Sequence, residues 1–181
     1  MIDTIIFDLD GVLINSKNIH FESLNQSIKE ANLTYQISYE DHLKKFDGLP
    51  TFKKLEILNK EKLVPKKLNN KISQKKNEIT RKLFKKNIIY NKNIYDLFAK
   101  LSKKYKIGLA TNAIQETLEI AINKLKIKKF IKYSLSTKSI INPKPHPEIY
   151  LRCIINLNTK PSNTLILEDS HNGRIAAKEA G

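Results

Sequence analysis

One arrangement of residues occurs three times along the chain: a short apolar run, a polar turn, and then an amphipathic helical pattern. The apolar runs cover residues 4–7, 107–110 and 164–167. The helical pattern is clearest in residues 118–125, where apolar side chains fall at i, i+3, i+4 and i+7. Strands that alternate with helices favour a parallel sheet with right-handed crossovers. The sequence therefore predicts an α/β fold with a Rossmann-like parallel-sheet core.

Residues 16–89 have a different pattern, with almost no strand signal and repeated helical spacing of apolar residues, as in Phe52, Leu55 and Leu58. We interpret this stretch as an all-helical cap domain inserted after the first strand. Residues 1–15 and 90–181 would then form the α/β core domain. Within that core we expect a short strand near residues 133–135 and a helix that starts at Pro147, since proline suits the first helical position.

The strongest compositional feature is a formal net charge of +15, carried by 33 lysines and arginines. A basic chain suggests nucleic acid, but only Arg81, Arg152 and Arg174 are arginines, and the lysines are spread along the whole chain. Nucleic-acid sites favour arginine, whose planar fork matches phosphate and base edges. We therefore consider nucleic acid an unlikely partner and expect the charge to attract small anions instead.

Other features of the sequence bear on membrane insertion, disulfide bonding and cellular location. No apolar run is long enough for a membrane span. Cys153 is the only cysteine, so no internal disulfide can form, which favours a cytoplasmic location. We expect a monomer.

Polar residues with complementary chemistry follow the three apolar runs. In a parallel sheet the carboxyl ends of the strands share one edge, so these residues would converge there. Lys144, between two prolines, adds a cation. Carboxylates, a hydroxyl and an ammonium together suit a divalent metal next to a phosphate group. The residues concerned are Asp8, Asp10, Thr111, Asn112, Lys144, Glu168 and Asp169.

The residues just named belong to four short motifs. These motifs and their order resemble those of the haloacid dehalogenase-like hydrolase superfamily, in the branch of β-phosphoglucomutase-like phosphatases with a helical cap. The resemblance covers essentially the whole chain, and the predicted cap lies where that branch carries its own. The motifs are Asp8-Leu9-Asp10-Gly11-Val12, Ala110-Thr111-Asn112, Lys144-Pro145-His146-Pro147-Glu148 and Glu168-Asp169-Ser170-His171-Asn172-Gly173.

The resemblance implies a phosphatase that acts on a small phosphorylated metabolite. Asp8 would be the nucleophile that forms an aspartyl-phosphate, and Asp10 the general acid and then the general base. Asp10 must therefore hold a proton part of the time, so we expect its pKa to lie above that of Asp8. Thr111 and Asn112 would bind the transferring phosphoryl group, and Lys144 would neutralise its charge.

A magnesium site and two further substrate contacts are also implied. Glu168 and Asp169 would hold Mg²⁺ together with an Asp8 oxygen and the Asp10 carbonyl. His20 matches a position where this branch often has histidine, although a helix-surface role is equally compatible with the sequence. Lys76 interrupts an apolar helical stripe and so points either into the cleft or, as a snorkelling side chain, to solvent.

Two departures from the family pattern matter. Sugar phosphomutases of the branch carry an arginine shortly after the glycine equivalent to Gly48, and residues 49–52 of this chain contain none. The missing arginine argues against a phosphomutase. A phosphomutase and a catalytically impaired basic binding protein are the two alternatives to a phosphatase. The chain also ends at Gly181 without the family's next strand, so we expect a fragment that lacks its C-terminal edge strand and leaves a sheet edge exposed.

Overall fold

A computed structural model describes all residues from 1 to 181, and its centre is a four-stranded sheet in the order β3-β2-β1-β4. All three strand pairs are parallel, which confirms the predicted fold class. The strands are β1 (Thr4–Phe7), β2 (Lys106–Ala110), β3 (Tyr133–Leu135) and β4 (Thr164–Leu167).

Eight α-helices connect and cover these strands. Five of them lie between β1 and β2, and the last of these, α5, leads directly into β2. The helices are α1 (Lys17–Glu30), α2 (Tyr39–Asp41), α3 (Thr51–Lys60), α4 (Asn69–Asn87), α5 (Lys92–Leu101), α6 (Gln115–Lys124), α7 (Glu148–Asn156) and α8 (His171–Glu179).

Side chains of the strands alternate between two hydrophobic layers. Ile5 and Phe7 belong to a cluster of 17 buried residues that includes α6 side chains. Ile6, between them, belongs to a second cluster of 10 residues that includes the buried face of α7. Because successive side chains of a strand point to opposite faces, the two clusters cover the two faces of the sheet. Both layers leave the carboxyl ends of the strands free to form a site.

Residues 16–89 contain helices and no strand, as predicted, and most of their apolar side chains form a third cluster. The two ends of this helical segment behave differently, since Ile19, Phe84 and Ile88 pack into the larger sheet cluster. The division into a cap domain and a core domain at residues 16 and 89 stays a prediction. Phe52, which we expected on the buried face of its helix, is 46% exposed.

The β4 strand forms one edge of the sheet and pairs only with β1. Its side chains alternate in exposure, and Leu165 and Leu167 are 45% and 37% exposed. The further strand expected at this edge stays a prediction. None of the helices combines the length and the apolar composition that crossing a membrane requires.

Candidate active site

The carboxyl ends of β1, β2 and β4 meet at one cavity of about 270 Å³. Its walls come from the strand ends on one side and from the helical segment on the other. Every site residue predicted from the sequence lines this cavity. These residues are Asp8, Asp10, His20, Lys76, Thr111, Asn112, Lys144, Glu168 and Asp169.

The most buried charges of the site form a triad around Lys144. Its Nζ lies 2.7 Å from Oδ1 of Asp8 and 2.8 Å from Oε2 of Glu168. The same ammonium donates a hydrogen bond of 2.8 Å to the carbonyl oxygen of Ala110. Although burial opposes the charge, attraction to both carboxylates raises the pKa of Lys144 above its usual value. Lys144 is therefore a permanent cation held against Asp8.

Asn112 positions the segment that carries Lys144. Its Oδ1 accepts a hydrogen bond of 3.2 Å from the backbone N–H of Lys144. Its Nδ2 donates a hydrogen bond of 2.9 Å to the carbonyl oxygen of Gly48, in the loop before α3. One side-chain amide thus holds the loop of the helical segment and the lysine loop against the end of β2.

Glu168 is fixed at both carboxylate oxygens. Oε1 accepts hydrogen bonds from the backbone N–H and the hydroxyl of Ser170, at 3.0 and 2.9 Å. Oε2 accepts from the hydroxyl of Tyr150 at 2.6 Å, in addition to Lys144. Burial raises the pKa of Glu168, but Lys144 and these donors outweigh it, so the net pKa is lowered. Glu168 therefore remains an anion.

The two aspartates of the first motif titrate in the reverse order to our expectation. Burial, with the nearby carboxylates of Glu168 and Asp10, raises the pKa of Asp8 despite Lys144. Burial also opposes ionisation of Asp10, but the charge that His20 carries once acid has protonated it, with hydrogen bonds from His20 and Ser16, lowers the pKa of Asp10 to about 2. The expectation that the pKa of Asp10 lies above that of Asp8 is wrong for this state of the site, because three-dimensional neighbours decide it.

Three polar residues form a chain from the helical segment to Asp10. The Nε2 of His20 lies 3.2 Å from Oδ1 of Asp10, and the Nζ of Lys76 lies 3.4 Å from Nδ1 of His20. Because an ammonium only donates, Nδ1 accepts and Nε2–H donates to Asp10. Burial and the charge of Lys76 lower the pKa of His20. Both residues that the sequence left undecided therefore face the cavity.

Carboxylate oxygens of Asp8, Glu168 and Asp169 all lie within 4.8 Å of one another. Such an all-oxygen set fits a hard divalent cation. The Asp10 carboxylate is not in this group and is hydrogen-bonded to Ser16 and His20 instead. Its predicted contribution through the backbone carbonyl stays a prediction.

Two glycines allow the acidic residues to sit this close to the backbone. A Cβ on Gly11, whose φ is +83°, would lie 2.0 Å from Oδ2 of Asp169. A Cβ on Gly173 would lie 1.9 Å from the carboxyl carbon of Glu168. Both glycines therefore have a packing role in the site, in addition to the sharp turn after β1.

Sequence reasoning missed four residues that contact the site. Tyr150 was assigned only to the apolar face of its helix, and Ser16 and Lys17 carried no motif. The Nζ of Lys17 lies 3.2 Å from Oδ2 of Asp169. Lys54, on α3, lines the cavity and is only 5% exposed. A signal for Lys54 was available, since it interrupts the buried stripe of Leu55 and Leu58 as Lys76 interrupts that of α4.

Comparisons with known proteins identify relatives of this chain. The model of the haloacid dehalogenase-like hydrolase family matches residues 5–181. A phosphorylated carbohydrates phosphatase of Thermotoga maritima is 30% identical over an alignment of 182 positions, which covers 99% of this chain and 82% of that protein. The pyrophosphatase PpaX of Anoxybacillus flavithermus is 28% identical, over 99% of this chain and 80% of that protein.

A solved structure shows the same fold. CbbY of Rhodobacter sphaeroides, in complex with xylulose 1,5-bisphosphate, superimposes with a TM-score of 0.89 at 23% identity, over all of this chain and 84% of that one. The fold, the site and the named relatives define an enzyme of the phosphatase class. The chain belongs to the haloacid dehalogenase-like hydrolase family.

Proposed function

We propose that the protein is a Mg²⁺-dependent phosphatase that hydrolyses a small phosphorylated metabolite through an aspartyl-phosphate on Asp8. The observation that carries the proposal is the Asp8–Lys144–Glu168 triad. The Lys144 ammonium lies against the Asp8 carboxylate, where it would also neutralise the oxygens of a phosphoryl group bound to Asp8. Relatives named for phosphorylated carbohydrates and pyrophosphate support a small substrate. The free, buried Cys153 fits a cytoplasmic location.

In the first step a carboxylate oxygen of Asp8 attacks phosphorus, and the bond from phosphorus to the leaving oxygen breaks. Asp10 gives its proton to that oxygen, so the products are the alcohol and an acyl phosphate on Asp8. In the second step Asp10 takes a proton from water, and the water oxygen attacks phosphorus. Orthophosphate leaves, and the Asp8 carboxylate and the protonated Asp10 are restored.

The low pKa of Asp10 adds a requirement to this sequence of steps. Asp10 is ionised while the cavity is empty of anions, so it must gain a proton when substrate enters. A dianionic phosphate next to Asp10 provides the reason, because a nearby like charge raises the pKa of a carboxyl group. His20 and Lys76 hold Asp10 in place for that proton transfer.

Lys144, Thr111 and the loop at Asn112 would bind the oxygens of the phosphoryl group. Asp8, Glu168 and Asp169, with the Asp10 carbonyl, would hold Mg²⁺. When bound, the metal supplies positive charge to the phosphoryl oxygens and to the anionic form of Asp8. Lys17, now against Asp169, would turn towards Asp47, its other partner at 3.6 Å.

The helical segment would act as a cap that closes over the cavity and excludes water before transfer. The support for this is a set of contacts across the cavity mouth. Nδ2 of Asn112 bonds Gly48, and Nδ2 of Asn172 donates to the carbonyl oxygen of Asp47 at 3.4 Å.

The test is a phosphate-release screen over sugar phosphates, nucleotides and small phosphorylated acids, with Mg²⁺ or with a chelator. Wild-type protein should release phosphate only with metal. Asp8→Asn should lower kcat by about 10⁴-fold or more and leave the melting temperature unchanged or higher, since it removes a buried charge. Asp96→Asn, on the exposed face of α5, is the matched control. Substrate converted to an isomer without free phosphate would identify a phosphomutase instead, and turnover retained in Asp8→Asn would remove Asp8 from the mechanism.

A further inference from the structure

Two buried lysines form the side of the cavity that faces the catalytic acids. Lys54, on α3, is 5% exposed and Lys76, on α4, is 7% exposed. Both side chains line the same cavity as Asp8 and Asp10. The acids of the site come mainly from the strand ends and these two lysines from the helical segment, so the segment adds a pair of buried cations to an acidic cavity.

Neither ammonium has an anionic partner on the protein. The side chain of Lys54 makes no salt bridge and no hydrogen bond, and the carboxylates of Asp47 and Asp10 act on its ammonium only through the longer-range field. Lys76 has one polar neighbour, the neutral ring of His20 at 3.4 Å. Burial and repulsion from Lys76 lower the pKa of Lys54 to about 7, and burial lowers that of Lys76 to about 8. Buried charges without partners are costly and are found where a ligand supplies the missing charge.

His42 adds an unsatisfied polar atom to the same wall. It is 1% exposed, and its Nδ1 has no hydrogen-bond partner. Burial and the charges of Lys54, His20 and Lys76 lower the pKa of His42 to about 3, so the ring is neutral at pH 7. The neutral ring, whose other nitrogen is hydrogen-bonded to the Lys17 backbone, therefore adds no positive charge to the repulsion between the lysines.

A simple surface role does not account for Lys54. The neighbouring Lys53 pairs with Glu56 at 2.9 Å on the exposed face of α3, as a surface lysine normally does. Lys54 lies instead on the face that carries Leu55 and Leu58 and ends in the cavity. It stands one helical turn after Thr51, close to the stretch in which the expected arginine is missing.

We propose that Lys54, together with Lys76, forms a second anion subsite that binds a group of the substrate other than the phosphoryl group presented to Asp8. The proposal rests on the proposed function and narrows its substrate class. The substrate carries a second oxyanion, either another phosphate or a carboxylate, on a small skeleton that spans the two walls. Lys54 is then the residue that selects such substrates over phosphate monoesters with no second charge.

Pairs of substrates that differ only in the second anion test the proposal. Phosphoglycolate is compared with ethyl phosphate, and glucose 1,6-bisphosphate with glucose 6-phosphate. Wild-type protein should show a kcat/KM about tenfold higher or more for the two-anion member of one pair. The pair that shows this preference tells whether the second oxyanion is a carboxylate or a phosphate. Lys54→Met should reduce that ratio about tenfold or more, Lys54→Arg should retain part of it, and Lys53→Met should leave it unchanged. No preference in either pair, or an equal ratio in Lys54→Met, overturns the subsite.

A binding measurement separates this proposal from the proposed function. Pyrophosphate binding is measured by calorimetry on Asp8→Asn protein, with and without Lys54→Met. The second substitution should weaken binding about tenfold or more, whether or not the wild-type protein turns over any substrate. Unchanged pyrophosphate affinity rejects the subsite, whereas absence of all phosphate release rejects only the proposed phosphatase activity.

Thermal melting excludes a purely structural role for the lysine. Methionine is similar in size and apolar, so Lys54→Met should raise the melting temperature by removing a buried, unpartnered charge. A lower melting temperature, combined with an equal loss of kcat/KM on all substrates, would mean that Lys54 supports the fold and not a ligand.

Discussion

Asp8 and Lys144 form a buried ion pair, with Nζ 2.7 Å from Oδ1, although 136 positions separate the two residues in the chain. Glu168 shares the same ammonium at 2.8 Å. With both carboxylates ionised, the triad carries one more negative charge than positive charge. This imbalance makes it suited to a divalent cation and sensitive to loss of the lysine.

Replacing Lys144 by methionine should destabilise the protein by about 3 kcal/mol at pH 7, because two buried carboxylates lose their partner. Their pKa values would be raised, so stability would be lost as pH rises and the deficit should shrink towards pH 4. Urea unfolding at several pH values measures both effects. Lys138→Met, at an exposed position, is the control, and a deficit independent of pH would contradict the explanation.

The Tyr150 hydroxyl should contribute to stability through its 2.6 Å bond to Glu168. Tyr150→Phe keeps the ring, whose centroid lies 4.7 Å from Nζ of Lys144, and removes only this donor. We expect a loss of about 2 kcal/mol in the free energy of unfolding, the usual scale for a hydrogen bond to a charged group. Tyr95→Phe removes a hydroxyl that contacts exposed Lys129 and should change stability by less than about 0.5 kcal/mol. Equal losses in the two variants would show that Glu168 does not depend on Tyr150.

Asp169 should determine metal affinity more than stability. Its carboxylate is in the acidic cluster, and its ion-pair partner is the partly exposed ammonium of Lys17. Asp169→Asn should lower the apparent Mg²⁺ affinity by about 10- to 100-fold, measured both as the metal requirement for phosphate release and as the rise in melting temperature on adding Mg²⁺. Glu179→Gln, near the end of α8, is the control. An unchanged Mg²⁺ titration would place the metal elsewhere.

His42 should make stability depend on pH. Its pKa is lowered to about 3 in the folded protein, so between that value and 6.5 the unfolded chain binds the extra proton. Stability from the neutral ring is therefore present above pH 6.5 and is lost as pH falls. From pH 7 to pH 5, wild-type protein should lose about 1 to 2 kcal/mol more than His42→Phe. His171→Phe, on the exposed first turn of α8, is the control, and parallel pH profiles of wild type and His42→Phe would rule out this assignment.

Local sequence patterns were sufficient for the sheet and for the acids at its edge. Thr4–Phe7, Tyr133–Leu135 and Thr164–Leu167 are strands as predicted, because each apolar run is short and ends at polar turn residues. The position of Lys144 came only from resemblance to a family. Nothing local to Pro143-Lys144-Pro145 shows that its ammonium crosses to the end of another strand.

The remaining parts of the site depend on distances that no local pattern contains. Tyr150 reads as one more apolar position of α7, and only the fold brings its hydroxyl to Glu168. The pKa order of Asp8 and Asp10 depends on the burial of Asp8 and on the contacts of His20 and Ser16 with Asp10, which only the fold shows, so the sequence led to the reverse order. Lys54 was missed for the opposite reason. Its position in an apolar stripe is visible in the sequence, but we applied that argument only to Lys76.

The central position of β1 has a consequence for synthesis on the ribosome. This strand emerges first, yet its two partners are β2 and β4, about 100 and about 160 residues later, so its pairing has high contact order. At typical translation rates the nascent strand waits on the order of ten seconds with its apolar side chains uncovered. We therefore expect the active conformation to form only after β4 has emerged from the ribosome.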